Sequence, residues 1–187
     1  MLESILVTGF GPFETHTRDI SEEAIRRLDG MEVDGFVLRG VTLPGRADKA
    51  IAALEEAIDG AMPAALIALG AHADPAQTFK IELGAKNDEG ALDRQGPAVA
   101  YSTLPVAAIK QAFDGAGLAA ELSDDAGRSV GNAVLYWAAR RITPAGFIHV
   151  PSSAERADDV ARAARIAAEV TAKRLVALRV EAEAATV

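Results

Sequence analysis

The sequence predicts an α/β fold, a mostly parallel sheet with helices on both faces. Three observations carry this expectation. Short apolar runs at 5–8, 36–43, 65–69, 118–122 and 147–150 alternate with amphipathic segments. The run at 65–69 shows no polar alternation, which suits a parallel strand covered on both faces. Of 187 residues, 50% are hydrophobic and 25% charged, enough for a real core. We expect one domain over 1–187.

The elements follow in order. Ile5–Thr8 is a strand running into Gly9-Phe10-Gly11-Pro12-Phe13. Asp19 or Ser21 caps a helix to Leu28, with Ala24, Ile25 and Leu28 on one face. Phe36–Leu43 is a strand closed by Pro44-Gly45, and Asp48–Ile58 is a helix striped by Ile51, Leu54 and Ile58. Gly60 and Pro63 end that helix, and Ala65–Leu69 is the next strand. Thr78–Ala85 reads as one strand with Phe79, Ile81 and Leu83 alternating, and 87–96 as a polar loop. Helices are expected at Pro105–Phe113 and Val130–Arg141, with strands at Leu118–Leu122 and Phe147–Val150. A long helix starts at Glu155 and ends near Leu178, leaving a frayed tail over 175–187. Ligands of such sheets bind beyond the carboxyl ends of the strands, so the loops after 8, 43, 69, 122 and 149 are the places to search.

Charge and composition exclude several functions. The balance of 19 basic and 27 acidic residues, net −8, argues against nucleic acid and anionic membrane surfaces as partners. No apolar stretch approaches the ~20 residues of a membrane span, and the N-terminal run is too short for a signal peptide, so a cytoplasmic location is expected. The chain contains no cysteine, which removes disulfides, thiolate metal sites and thiol nucleophiles together. The spacing of His16, His72 and His149 gives no sign of convergence on a metal, so none is expected.

Four places could carry chemistry. Gly9-Phe10-Gly11-Pro12-Phe13 is either a tight turn with packed phenylalanines or an apolar cup walled by Phe10 and Phe13. A phosphate loop is disfavoured: the third glycine is missing, and Pro12 lacks an N–H. His149, at the end of a strand, is either a satisfied core histidine or a general base. Glu82 points away from Phe79, Ile81 and Leu83, as a solvated strand carboxylate or one that orients a histidine. The stretch 123–132 joins a strand to a helix, where nucleophiles are often presented, or is an ordinary cap.

Taken together, several segments resemble one family. Gly9-Phe10-Gly11-Pro12-Phe13, Gly96-Pro97-Ala98 with Ser102-Thr103-Leu104-Pro105, and Ala145-Gly146-Phe147-Ile148-His149-Val150-Pro151 are similar to motifs of the pyroglutamyl peptidase I family. These enzymes are also called pyrrolidone-carboxylate peptidases, peptidase family C15. The motifs occur in the family's order, over residues 4 to 175. The resemblance implies a cofactor-free α/β peptidase that removes N-terminal pyroglutamate with a Cys–His–Glu triad. His149 falls on the histidine, and Glu82 on the glutamate through the spacing from Glu82 to Asn87. Phe10 and Phe13 fall on the walls of the pyroglutamate pocket. Asp19-Ile20-Ser21 and Gly70-Ala71-His72-Ala73-Asp74-Pro75 replace family runs at the pocket rim, so Asp19 and Ala71 are candidate contacts. The loop between Asn87 and Gly96 is shorter than the family's. A homo-oligomer is expected from the resemblance alone.

The cysteine position of the segment Ala126-Gly127-Arg128-Ser129-Val130-Gly131-Asn132 holds Gly131. A glycine cannot attack a carbonyl, so cysteine-peptidase activity is not expected. Ser129 is the nearest hydroxyl, but two helical residues turn it by ~200° from Gly131. Two other readings stand: His149 and Glu82 activate a water in the space left by the cysteine, or the pocket binds a peptide N-terminus or small acid without turnover.

Overall fold

The computed structural model describes residues 2–12, 19–72 and 78–185. Its centre is a seven-stranded sheet in the order β2-β3-β1-β4-β9-β5-β8. The strands are β1 (Glu3–Phe10), β2 (Glu32–Val33), β3 (Phe36–Leu43), β4 (Ala65–Ala71), β5 (Phe79–Glu82), β8 (Ala120–Ser123) and β9 (Ala145–Val150). A separate two-stranded ribbon pairs β6 (Gly84–Lys86) with β7 (Val99–Tyr101). The helices are α1 (Ile20–Leu28), α2 (Ala47–Ala61), α3 (Val106–Gly115), α4 (Val130–Ala138) and α5 (Ala157–Ala184). β1, β3, β4 and β9 run parallel; β5 runs antiparallel to β9 and parallel to β8.

Side-chain alternation builds two cores, one per sheet face. Ile5, Val7, Ile67, Leu69, Ile81 and Ile148 face α1, α3 and α5. Leu6, Phe10, Leu66, Ala68 and Phe147 face the other way, onto Leu54 of α2 and Val134 and Leu135 of α4. The central strands therefore read as unbroken apolar runs, with each second residue serving a different core.

Local signals explain the first helix well. Asp19 caps α1, accepting from Ser21 N at 2.8 Å and Ser21 Oγ at 2.7 Å. Glu22 and Glu23 occupy its first turn, and Arg26 and Arg27 its last, which suits the helix dipole. Ser21 Oγ in turn accepts from Phe10 N at 3.0 Å. Gly9 permits this contact, because a Cβ there would lie 2.7 Å from the Ser21 backbone. Gly11 N–H donates to Leu43 O at 3.0 Å, so the Gly-Phe-Gly segment extends β1 and closes onto β3. The expected end of β1 at Thr8 is corrected to Phe10.

Other expectations need correction. Thr78–Ala85 is two strands, because Leu83 leaves the sheet: its N–H bonds Ser123 O and its carbonyl accepts from Ser102 N. β2 and β7 are short edge strands with no sequence pattern to announce them. The last helix does not fray at 175; α5 continues to Ala184, and Arg179 pairs with Glu3 and lies over the Phe36 ring. Among the described residues no helix is long and apolar enough to cross a membrane.

Gly9→Ala should lower stability by ~1–3 kcal/mol, since the added methyl meets α1 backbone that cannot yield cheaply. Urea unfolding monitored by circular dichroism reads this as a lower midpoint at unchanged slope.

Candidate active site

The antiparallel register of β5 on β9 makes the site. Lys80 lies opposite His149 and Ile81 opposite Ile148. Two residues past Lys80, Glu82 is then a diagonal cross-strand neighbour of His149 on the same face. His149 Nδ1 donates to Glu82 Oε1 at 2.7 Å. A carboxylate only accepts, so the proton on Nδ1 leaves the Nε2 lone pair of the neutral ring available. Nε2 has no hydrogen-bond partner among the described residues.

Glu82 is 0% exposed, so it is not a solvated strand carboxylate. Its other oxygen, Oε2, is buried with no hydrogen-bond partner among the described residues. Removing a carboxylate from water costs several kcal/mol, and one imidazole offsets only part of that. Apolar side chains in the same volume would serve stability better, so the pair points to chemistry. The His149 side chain keeps 12% of its surface exposed, while that of Glu82 is fully buried.

Phe147 forms the floor. Its ring centroid lies 4.8 Å from that of His149 and 6.3 Å from that of Phe10. Phe10 is only 5% exposed, so its ring supports the site from below. Phe13, the second expected wall, lies outside the described residues. Gly131 opens the first turn of α4, directly above this floor. A Cβ there would lie 2.9 Å from Phe147 Cζ. The room around Gly131 is therefore taken by the phenylalanine, not left open as the sequence suggests. Ser129 is the α4 N-cap residue, exposed, with extended backbone and no capping hydrogen bond. No hydrogen bond joins it to His149 among the described residues.

The two remaining candidates are placed elsewhere. The Ala71 methyl packs on the opposite face, against the α1/α3/α5 core, so only its backbone can line this face. Asp19 is engaged in capping α1. A residue outside the candidate set lies closer. His72 is 8% exposed, and its Nε2 donates to Thr78 O at 3.1 Å. Its ring stands edge-to-face with His149, centroids 6.1 Å apart, so two of the three histidines do converge. Its position just past the carboxyl end of β4 was the signal available in the sequence. His16 lies outside the described residues, and among those described no group of three or more His, Cys, Asp or Glu could hold a metal.

The asparagines of the motifs brace the surroundings. Asn132 bonds both backbone groups of Lys86, at 2.9 and 2.8 Å, and so pins α4 to β6. Asn87 donates to Asp93 O and accepts from Leu92 N and Asp93 N, closing the 87–96 loop on itself. The Arg140 guanidinium beside Asp93 holds that carboxyl below its usual range, helped by the Gln95 N–H. Tyr136 Oη donates to Pro97 O at 2.8 Å.

A buried carboxylate–imidazole pair near the carboxyl end of β9 in an α/β sheet is an arrangement that can orient and hold a proton, the kind found in hydrolytic α/β proteins. The relatives are specific. The family model described as pyroglutamyl peptidase matches residues 3–87 and 81–187, and the chain belongs to that family. The pyrrolidone-carboxylate peptidase of Cupriavidus taiwanensis is 34% identical over 177 residues, 83% of this chain and 82% of that one. That of Chromobacterium violaceum is 32% identical over 199 residues, 92% and 94% of the two chains. Crystalline pyroglutamyl peptidase I from Bacillus amyloliquefaciens superposes with a TM-score of 0.85 at 27% identity, covering 91% of this chain and 97% of that one. Pyrrolidone carboxyl peptidase from Pyrococcus furiosus gives 0.85 at 26% identity, covering 92% and 99%.

Gly131→Cys should destabilise the chain by ~1–3 kcal/mol, because Phe147 must shift to admit the side chain. Guanidinium unfolding of the variant beside the parent measures this. His149→Ala should cost about 3 kcal/mol or more in the same assay, since it leaves the Glu82 carboxylate buried and unpaired.

Proposed function

We propose that this chain engages the pyroglutamyl N-terminus of peptides at the Glu82–His149 site and does not use the cysteine-peptidase reaction of its family. One observation carries the reading: the pair is held at 2.7 Å in a chain with no cysteine. An acyl-enzyme thioester requires a thiol, so that route is closed. What remains is an imidazole whose Nε2 can take a proton from water, oriented by Glu82 through Nδ1. Gly131 stands at the position of the missing nucleophile, and Phe10 and Phe13 for the family's pocket walls; the Ala71 side chain and Asp19 are placed elsewhere and take no part. Losing a triad nucleophile leaves binding and electrostatic terms of ~10³–10⁴ over the uncatalysed rate in the serine-protease template. Hydrolysis through water is therefore slow.

A second reading is a binder without turnover, holding a peptide terminus or small acid. It is favoured by Phe147, whose ring lies 2.9 Å from the Cβ position of Gly131 and leaves little room there for an attacking water.

A chromogenic pyroglutamyl amide, tested on the parent and on His149→Ala, separates the two. Water activation is expected to give slow turnover with no acyl-enzyme burst, abolished in His149→Ala. The binder is expected to show no turnover, with pyroglutamate raising Tm; saturation at 100 Kd corresponds to ~2.7 kcal/mol. A burst, or turnover that survives in His149→Ala, overturns both.

A further inference from the structure

We infer that Ser102 and Thr103 are positioning residues for the Glu82–His149 pair, acting as a crosspiece that sets the register of β5 against β9. The ladder that creates the pair is short: Lys80 opposite His149 and Ile81 opposite Ile148. Glu82 is the last residue of β5, so the strand itself carries no pairing beyond it to hold the carboxylate in place. The next residue, Leu83, is instead tied on both sides. Its N–H donates to Ser123 O at 2.7 Å, and its carbonyl accepts from Ser102 N at 2.9 Å. Ser102 arrives there because the β6–β7 ribbon returns the chain to its starting point.

From Leu83 the crosspiece continues to the strand that carries the histidine. Thr103 N donates to Ala145 O at 2.9 Å, and Ala145 N donates to Thr103 Oγ1 at 2.8 Å. Ser102 Oγ also reaches Ala145 O, at 3.3 Å. Ala145 is the first residue of β9. Because β5 and β9 are antiparallel, the end of one strand lies beside the start of the other, and two consecutive residues span the gap. Gly146 accommodates the fit: a Cβ there would collide with Ser102 Oγ and Leu104 Cγ. A slip of one residue in β5 would turn Glu82 to the opposite face, away from His149. Thr103 is itself exposed, so changing its side chain removes the Oγ1 link to Ala145 N, leaves the main-chain bonds of the crosspiece in place, and does not open the core.

This inference rests on the Glu82–His149 pair as the working centre, but its test reads the pair directly and not turnover. In histidine-labelled protein, the His149 Nδ1 proton held on Glu82 gives a downfield, slowly exchanging resonance, assigned by its loss in Glu82→Gln. Thr103→Val is expected to keep the parent circular dichroism while that resonance is lost or moves upfield; Thr103→Ser restores it. A general loss of stability would leave the resonance of the folded population in place. An unchanged resonance in folded Thr103→Val overturns the inference. If Thr103→Val does not fold, Thr103→Ala is read by the same criterion. A resonance sensitive to Thr103, in a chain that neither binds nor hydrolyses pyroglutamyl compounds, upholds the crosspiece and sinks the functional reading instead. A parent without the resonance sinks both.

Discussion

The site depends on one constraint, the antiparallel seam between β9, the last of the parallel strands β3-β1-β4-β9, and β5, which with β8 runs the other way. Were β5 parallel to β9, the carboxyl ends of both strands would lie at one edge. The reversal sets the end of β5 against the start of β9, and two residues of pairing bring Oε1 within 2.7 Å of Nδ1. Everything else near the site keeps this arrangement in register or covers it. The helix α4 lies over Phe147, Asn132 pins α4 to β6, and the ribbon returns Ser102 to Leu83.

The energetic balance is unusual for a core. A buried carboxylate, one of whose oxygens has no hydrogen-bond partner among the described residues, sits in the interior where aliphatic residues would be more stable. The surface ion pairs around it, such as Arg128–Asp88 and Lys86–Asp125, are exposed and contribute little. Stability comes from the two apolar layers on either side of the central strands. The pair can be retained because that stability is supplied elsewhere.

Gly131 illustrates how local chemistry and packing diverge. Read along the chain, glycine at a nucleophile position suggests an opening. In three dimensions the Phe147 ring stands against that position, with Gly70 on its other side and Phe10 beyond. Two glycines on different elements thus share one aromatic neighbour, and the floor of the site is close-packed.

Periodicity alone carried much of the architecture. The buried strands β1, β3, β4 and β9, and the helices α1, α2 and α5, are announced by apolar runs and stripes, because burial on a defined face imposes a defined spacing. Asp19 was legible as a cap for the same local reason. His149 and Glu82 were legible as candidates, from the strand end and from the family motifs. What the sequence left undecided was long-range. Whether Glu82 is solvated or buried depends on which strand lies beside β5 and in which direction, and no residue within β5 encodes that. The edge strands β2 and β7 carry too few residues for a pattern. The approach of His72 to His149 joins positions 77 apart in the chain, and that of Phe147 to Gly131 joins a strand to a helix of the facing layer. The sequence determined the elements and their buried faces, since these follow from local spacing. Tertiary structure alone decided the pairing, the burial and the occupied space at Gly131, since these are set by neighbours distant along the chain.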